Sequence, residues 1–196
     1  MSLLAPTLFS FFRHTIPNVR HAVVKTLHSF MSVSSLPRDW LSVEYLRLLF
    51  QNLVVEERSD IRKATLEAWK LVTDILSERQ DWLQGLVPQQ TLLDWYAIMM
   101  TPMGTPLEKT LFYDPAAASS GSDPAERHNV DKNMLAQDLT LVPMEVVIQA
   151  RVAAATALAY VTARWPTTVS IILATVEHIS DISYRANNMT QCSVQS

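Results

Sequence analysis

Through most of the chain, apolar residues recur at intervals of three and four, the spacing that lines one face of a helix. Leu3 to His14 reads as one such segment, "TIPN" as a turn, and Asn18 to Met31 as a second segment. Thr15 and Asn18 are candidate caps there, because their side-chain oxygens can accept from free N–H groups at a helix start. Pro17 is tolerated in a first turn that needs no donor. The pattern then starts afresh. Tyr45, Leu48, Leu49 and Leu53 mark a helix over Trp40 to Val55, and "EERSD" turns the chain. Ile61, Leu66, Trp69, Val72, Ile75 and Leu76 mark the next helix, Ile61 to Leu76. Two later helices are predicted, Gln89 to Thr101 and Met144 to Ala163.

The second helix of each pair carries one short phrase, written three times: "NVRHAVVKTL" from Asn18, "DIRKATLEAW" from Asp60 and "QARVAAATAL" from Gln149. Stacked, they put Arg20, Arg62 and Arg151 in one column, Ala22, Ala64 and Ala153 in a second, and Leu27, Trp69 and Leu158 in a third. Arg20 and Arg62 lie about 42 residues apart, within the roughly 40 to 47 of HEAT and armadillo helix pairs. From Arg62 to Arg151 the offset is about 89, one period plus roughly 47 more, so the third unit carries an insertion.

The predicted architecture is all-α: a right-handed HEAT-repeat solenoid with units over 3–36, 39–80 and 88–163, the third interrupted by an insertion over 102–142. A partial fourth unit follows over 166–179, then an irregular tail over 180–196. The insertion opens with "TPMGTPLEKTLFYDP", rich in proline and carrying Leu111, Phe112 and Tyr113, and passes through the linker-like "AAASSGSDPAER". Neither end of the array shows a polar cap, so the chain reads as a fragment of a longer solenoid. Within a unit, the alanine column is expected to let helices approach closely while the Leu/Trp column fills the core. The arginine column is expected to reach a carboxylate or carbonyl of an adjacent unit.

Composition narrows the picture. With 3 glycines in 196 residues, phosphate-cradling loops and dinucleotide folds lack the backbone freedom they need. A net charge of -3 offers no global attraction to nucleic acid. The single Cys192 has no disulfide partner, which fits a reducing compartment. The apolar run Val142 to Val161 carries Glu145, Gln149 and Arg151, each costly in a bilayer, so no membrane span is expected.

Chemistry finds little footing. His14, His21 and His28 recur every seventh residue, but Pro17 interrupts their helix and no carboxylate keeps step. Asp123, Glu126, His128 and Asp131 form a metal-like cluster in a linker that would not preorganise it. Glu56 and Glu57 sit at a turn, where an exposed pair lacks the pocket that separates acid from base. No catalytic, metal or cofactor-binding residue is therefore assigned, and no small-molecule substrate. Partner contact is expected instead at the inter-helix turns, through Pro17, Asn18, Glu56, Glu57, Arg58 and Asp60, and at the insertion, through Leu111, Phe112 and Tyr113.

The strings "LAPTLFSFFRHTIPNVRHAVVKTL", "LLDWYAIMMTPMGTPLEKTLFY" and "NVDKNMLAQDLTLVPMEVVIQARVAAATAL" carry a narrower resemblance. In that order, insertion included, they resemble the central repeat array of the TATA-binding-protein-associated ATPases of the Swi/Snf class, in their fungal form. The resemblance implies a nuclear, non-catalytic scaffold that grips TATA-binding protein while a helicase-like motor elsewhere in the polypeptide uses ATP and Mg. DNA would be met only indirectly. No "GxxxxGK[ST]" loop is present here, so the motor activity does not carry over. Two other readings stand beside it: a generic HEAT adaptor of the transport or phosphatase-scaffold type, and a HEAT-fold nucleic-acid-binding protein.

Overall fold

A computed structural model of the chain describes residues 4–33, 41–78, 86–105, 107, 111, 112, 142–166 and 170. They form helices and turns, with no strand among the described residues. The elements are α1 (Leu4–Thr7), a 3-10 helix (Phe9–Arg13), α2 (Pro17–Met31), α3 (Val43–Val55), α4 (Ser59–Ser77), α5 (Gln89–Met100) and α6 (Met144–Arg164). Helix α4 packs between α2 and α6, while α3 lies against the 3-10 helix, α4 and α6.

That placement explains the composition of α3. Neighbours meet it on several sides, so Tyr45, Leu46, Leu48, Leu49, Phe50, Leu53 and Val54 are all buried, where a helix covered on one side would bury a single stripe. Ser42 starts it by accepting from the Tyr45 N–H at 3.2 Å. Helix α4 keeps the amphipathic form, with Ile61, Thr65, Ala68, Trp69, Val72 and Leu76 inside and Lys63, Glu67 and Asp74 exposed. Phe50, Trp69 and Trp95 join α3, α4 and α5, their ring centroids 5.0 to 6.0 Å apart. Aromatic pairs at such separations contribute about 0.5–1.5 kcal/mol each beyond the area they bury.

The first segment differs from the single helix expected over Leu3 to His14. It breaks into α1 and a 3-10 helix, whose i→i+3 bonds bring residues three apart onto one edge. Phe9 and Phe12 both reach the core that way, and Phe9 stacks on Tyr45 at 5.8 Å. Nor do Thr15 and Asn18 cap α2. Its N-cap is Ile16, with no side-chain cap bond, and Asn18 lies inside the helix.

The alanine column needs the same correction. Ala22 is exposed on α2, and Ala64 and Ala153 are only partly buried. Close approach is served instead by Ala68 of α4 and by Ala154 and Ala157 of α6, all fully buried. The reason is helical phase: Arg20, Val23, Val24 and Leu27 set the buried face of α2, and Ala22 falls outside it. The third column does enter the core, with Leu27, Trp69 and Leu158 buried.

At the start of the predicted insertion, Thr105 N–H donates to the Pro102 carbonyl at 3.1 Å, closing a turn in which Gly104 has φ 86°. A residue with a side chain is strained at that angle, which gives this glycine its reason. Leu107 and Phe112 are buried and Leu111 packs beside them. The Asp123 to Asp131 cluster, the partial fourth unit apart from residues 166 and 170, and the tail with Cys192 lie outside the described residues. Among the described residues, α6 is long and apolar enough to cross a membrane by length and composition. Its Arg151, Ala154, Ala157 and Leu158 are instead buried in the protein core.

Candidate functional site

The three repeated arginines are all buried, Arg20 and Arg62 in the first turn of α2 and α4 and Arg151 about two turns into α6. Arg20 donates through Nη1 to the carbonyls of His14 at 2.8 Å and Thr15 at 3.3 Å, six and five residues back. Arg62 does the same with Glu56 and Glu57, again six and five residues back, both at 2.7 Å. Each guanidinium thus satisfies carbonyls that the preceding turn leaves without helical partners. In the third unit the insertion intervenes, and Arg151 Nη1 donates to the Ile98 carbonyl in the last turn of α5. Burial lowers the pKa of both Arg62 and Arg151 from the ordinary guanidinium value.

Each of the first two arginines also reaches forward. Arg20 grips Glu56 with two bonds, Nε to Oε2 at 2.8 Å and Nη2 to Oε1 at 3.0 Å. Arg62 Nη2 donates to Gln149 Oε1 at 2.9 Å, and Gln149 in turn donates to Glu145 at 3.3 Å. The result is a polar rail across the inter-helix turns: Arg20, Glu56, Arg62, Gln149. Glu56 is the node, its carboxylate held by Arg20 and by the Arg58 N–H, its carbonyl by Arg62.

Glu56 is therefore not a solvent-facing turn residue. Its side chain is 0% exposed, because an ion pair with fork geometry can be buried when its remaining lone pairs are satisfied. Phe112, expected at a docking surface, is buried too, and with Leu111 it fastens the insertion to the core. Tyr113 lies outside the described residues. Asn18, Glu57, Arg58 and Asp60 do face solvent, and Pro17 is half-buried. Arg58 forks onto Asp60 at 3.1 Å through both nitrogens, and that contact holds the Asp60 carboxyl down to about 2. His21 Nδ1 lies 3.9 Å from Asp60, bringing the turns of the first two units side by side.

Two residues of this ridge escaped the sequence reading. Ile16 is an exposed apolar side chain beside the first turn, hidden in the sequence because it looked like part of an ordinary turn. Gln149 links the second and third units. Its signal was available, for Asn18, Asp60 and Gln149 share a polar column two residues before each arginine. Behind the ridge a small crevice, with a volume of about 10 Å³, opens between the end of α3 and the start of α6. It is lined by Val54, Val55, Val142, Val146, Val147 and Ala150, with Glu56 and Glu57 at one side. Among the described residues no group of three His, Cys, Asp or Glu side chains is placed to hold a metal.

A family model described as "Domain of unknown function (DUF3535)" matches residues 68–192. A protein of Aspergillus fumigatus named TATA-binding protein-associated factor mot1 is 29% identical, over 95% of this chain and 12% of its own length. Proteins of that name are 28% identical in Schizosaccharomyces pombe, over 83% of this chain, and 27% identical in Saccharomyces cerevisiae, over 80%. Against both of those the chain spans 10% of the relative's length, so it corresponds to a small part of each.

Proposed function

The chain belongs to the DUF3535 family, and on that footing we propose that it is a non-catalytic scaffold segment of a nuclear, ATP-dependent regulator. In this reading the full regulator binds TATA-binding protein and removes it from promoter DNA, with ATP hydrolysis in another part of the longer polypeptide. The segment itself is a right-handed HEAT-type solenoid. The observation that carries the scaffold reading is the repeated guanidinium geometry: Arg20 and Arg62 bond to carbonyls at the same two offsets and then to the next unit. Units that repeat their side-chain bonds as well as their sequence suit an array held together by nearest-neighbour contacts. The partner comes from the relatives, which are named as TATA-binding protein-associated factors.

The contact edge would be the outward side of the rail, Asn18, Glu57, Arg58 and Asp60 with Ile16, together with the insertion over 102–142. Calorimetric titration of purified TATA-binding protein into the chain tests this. Saturable binding is expected, weakened by the double change Glu57→Lys and Arg58→Glu on the ridge, and weakened separately when residues 104–141 are replaced by a short linker. A folded, helical chain that releases no heat with TATA-binding protein at any ratio would sink the partner assignment.

A further inference from the structure

Of the three repeated arginines, Arg151 is the one without a forward contact. It is 7% exposed, and Nη1 donates to the Ile98 carbonyl. Its Nε is buried and has no acceptor among the described residues. In Arg20 that edge of the guanidinium is filled: Nε and Nη2 hold the two oxygens of Glu56, at 2.8 and 3.0 Å. Burial lowers the pKa of Arg151 with no carboxylate among the described residues acting against it, as Glu56 does for Arg62. The one acid of α6, Glu145, is exposed and accepts from Gln149. A buried guanidinium nitrogen left without an acceptor is costly, and a forked carboxylate is its best complement.

The sequence repeats the acceptor as well as the donor. The turn string "VEERSDI", Val55 to Ile61, returns as "VEHISDI", Val176 to Ile182. Glu177 thereby takes the place of Glu56, and Asp181 that of Asp60. The copy ends there, for Ser183 stands where Arg62 would. Beyond α6 these two are the only acids in the chain, and the family match over 68–192 spans both Arg151 and Glu177.

Chain length agrees. From Arg20 the backbone climbs about 16 Å to the end of α2 and returns about 20 Å along α3 to Glu56, at about 1.5 Å per residue. From Arg151 it climbs about 20 Å to the end of α6. The helix expected at the start of the fourth unit, in which residue 170 is helical, returns about 15 Å by Glu177. Either hairpin brings its carboxylate back to within about 5 Å of the level of its arginine, inside the reach of the two side chains.

We propose that the Glu177 carboxylate docks on the open Nε edge of Arg151 and joins the fourth unit to the third, as Glu56 joins the second to the first. The joint lies within the chain and stands independently of the TATA-binding protein assignment.

Urea unfolding of the full 196-residue chain tests it. Glu177→Gln keeps the shape and removes the charge, and is expected to lower the folding equilibrium constant at least ~10-fold. Asp181→Asn, in the place of the solvent-facing Asp60, is expected to change it less than ~2-fold. On an Arg151→Met background Glu177→Gln is expected to become neutral or stabilising, because the carboxylate then has no cation to meet. A loss of the same size on that background, or equal effects of Glu177→Gln and Asp181→Asn in the parent, would overturn the joint. Should Arg151→Met fail to fold, amide exchange in the parent background decides. Around residue 151 it is expected to speed up at least ~5-fold in Glu177→Gln and to stay unchanged in Asp181→Asn, and no difference between the two would again overturn the joint.

Discussion

Removing the Arg20 guanidinium would leave the Glu56 carboxylate buried, with the Arg58 N–H at 3.1 Å as its remaining side-chain bond. A buried charge stripped of its partner typically costs about 3–5 kcal/mol, while replacing both members by apolar residues of similar volume costs far less. Arg20→Ala is thus expected to lower the urea unfolding free energy by about that amount, and Arg20→Met with Glu56→Met to lower it by less. A single change no more damaging than the double would mean that the pair does not carry the joint. Tyr45 makes the opposite case. It is fully buried, its hydroxyl has no hydrogen-bond partner among the described residues, and burial pushes its phenol pKa well up. Tyr45→Phe is expected to raise stability by about 1–2 kcal/mol, since it deletes an unsatisfied group and keeps the stack on Phe9. The raised native pKa also fixes a sign. Below the unfolded value near ~10 the folded state keeps this contribution in full, and it is lost as pH rises from there toward the higher native value. Chemical denaturation of the parent and of Tyr45→Phe across that alkaline window should show a shallower slope in the variant, where the partly buried Tyr96 still titrates with a raised pKa.

At the level of elements, α4 and α6 are joined by the indole of Trp69 and by the ion pair of Arg164 with Asp74. The indole bond is buried and the ion pair largely exposed, so the first matters more. Trp69→Phe keeps an aromatic in the cluster with Phe50 and Trp95 but removes the indole bond to the Ala157 carbonyl, which keeps its partner within the helix. A loss of about 0.5–1.5 kcal/mol is expected, with faster amide exchange in the second half of α6; exchange unchanged there would put the joint elsewhere. The positions of these helices were legible because spacing by three and four is a local signal. Val43–Val55 and Ser59–Ser77 fall within a few residues of the segments read from periodicity. What was not legible is what depends on neighbours. Phe9 and Phe12 need a 3-10 turn to reach Tyr45, and Ala22 is exposed while Ala64, at the same place in its column, is partly buried on a helix with neighbours on both sides. Glu56 looks like any turn carboxylate until Arg20, far off in sequence, is brought against it.

Across the whole molecule, the rail decides whether the units fold as separate helix pairs or as one body. An array with contacts only between flat helix faces would lose its terminal pair with little effect on the next. Here the first unit supplies a guanidinium whose carboxylate belongs to the second, and the carbonyl of that same Glu56 is held by the arginine that reaches Gln149 in the third. Strain at one joint therefore has a polar path to the next, through a residue that cannot move without disturbing both bonds. Arg20→Ala and Arg62→Ala should then couple although their side chains do not touch. Groups sharing a network commonly show interaction energies of about 0.5–3 kcal/mol, whereas independent sites add to within about 0.3–0.5 kcal/mol. A double-mutant cycle read by urea unfolding is expected to fall in the first range. Amide exchange should accelerate at the start of α6 in the Arg20→Ala chain, two units away from the change. Strict additivity, with α6 undisturbed, would make the three arginines separate turn fasteners and the scaffold a string of independent pairs.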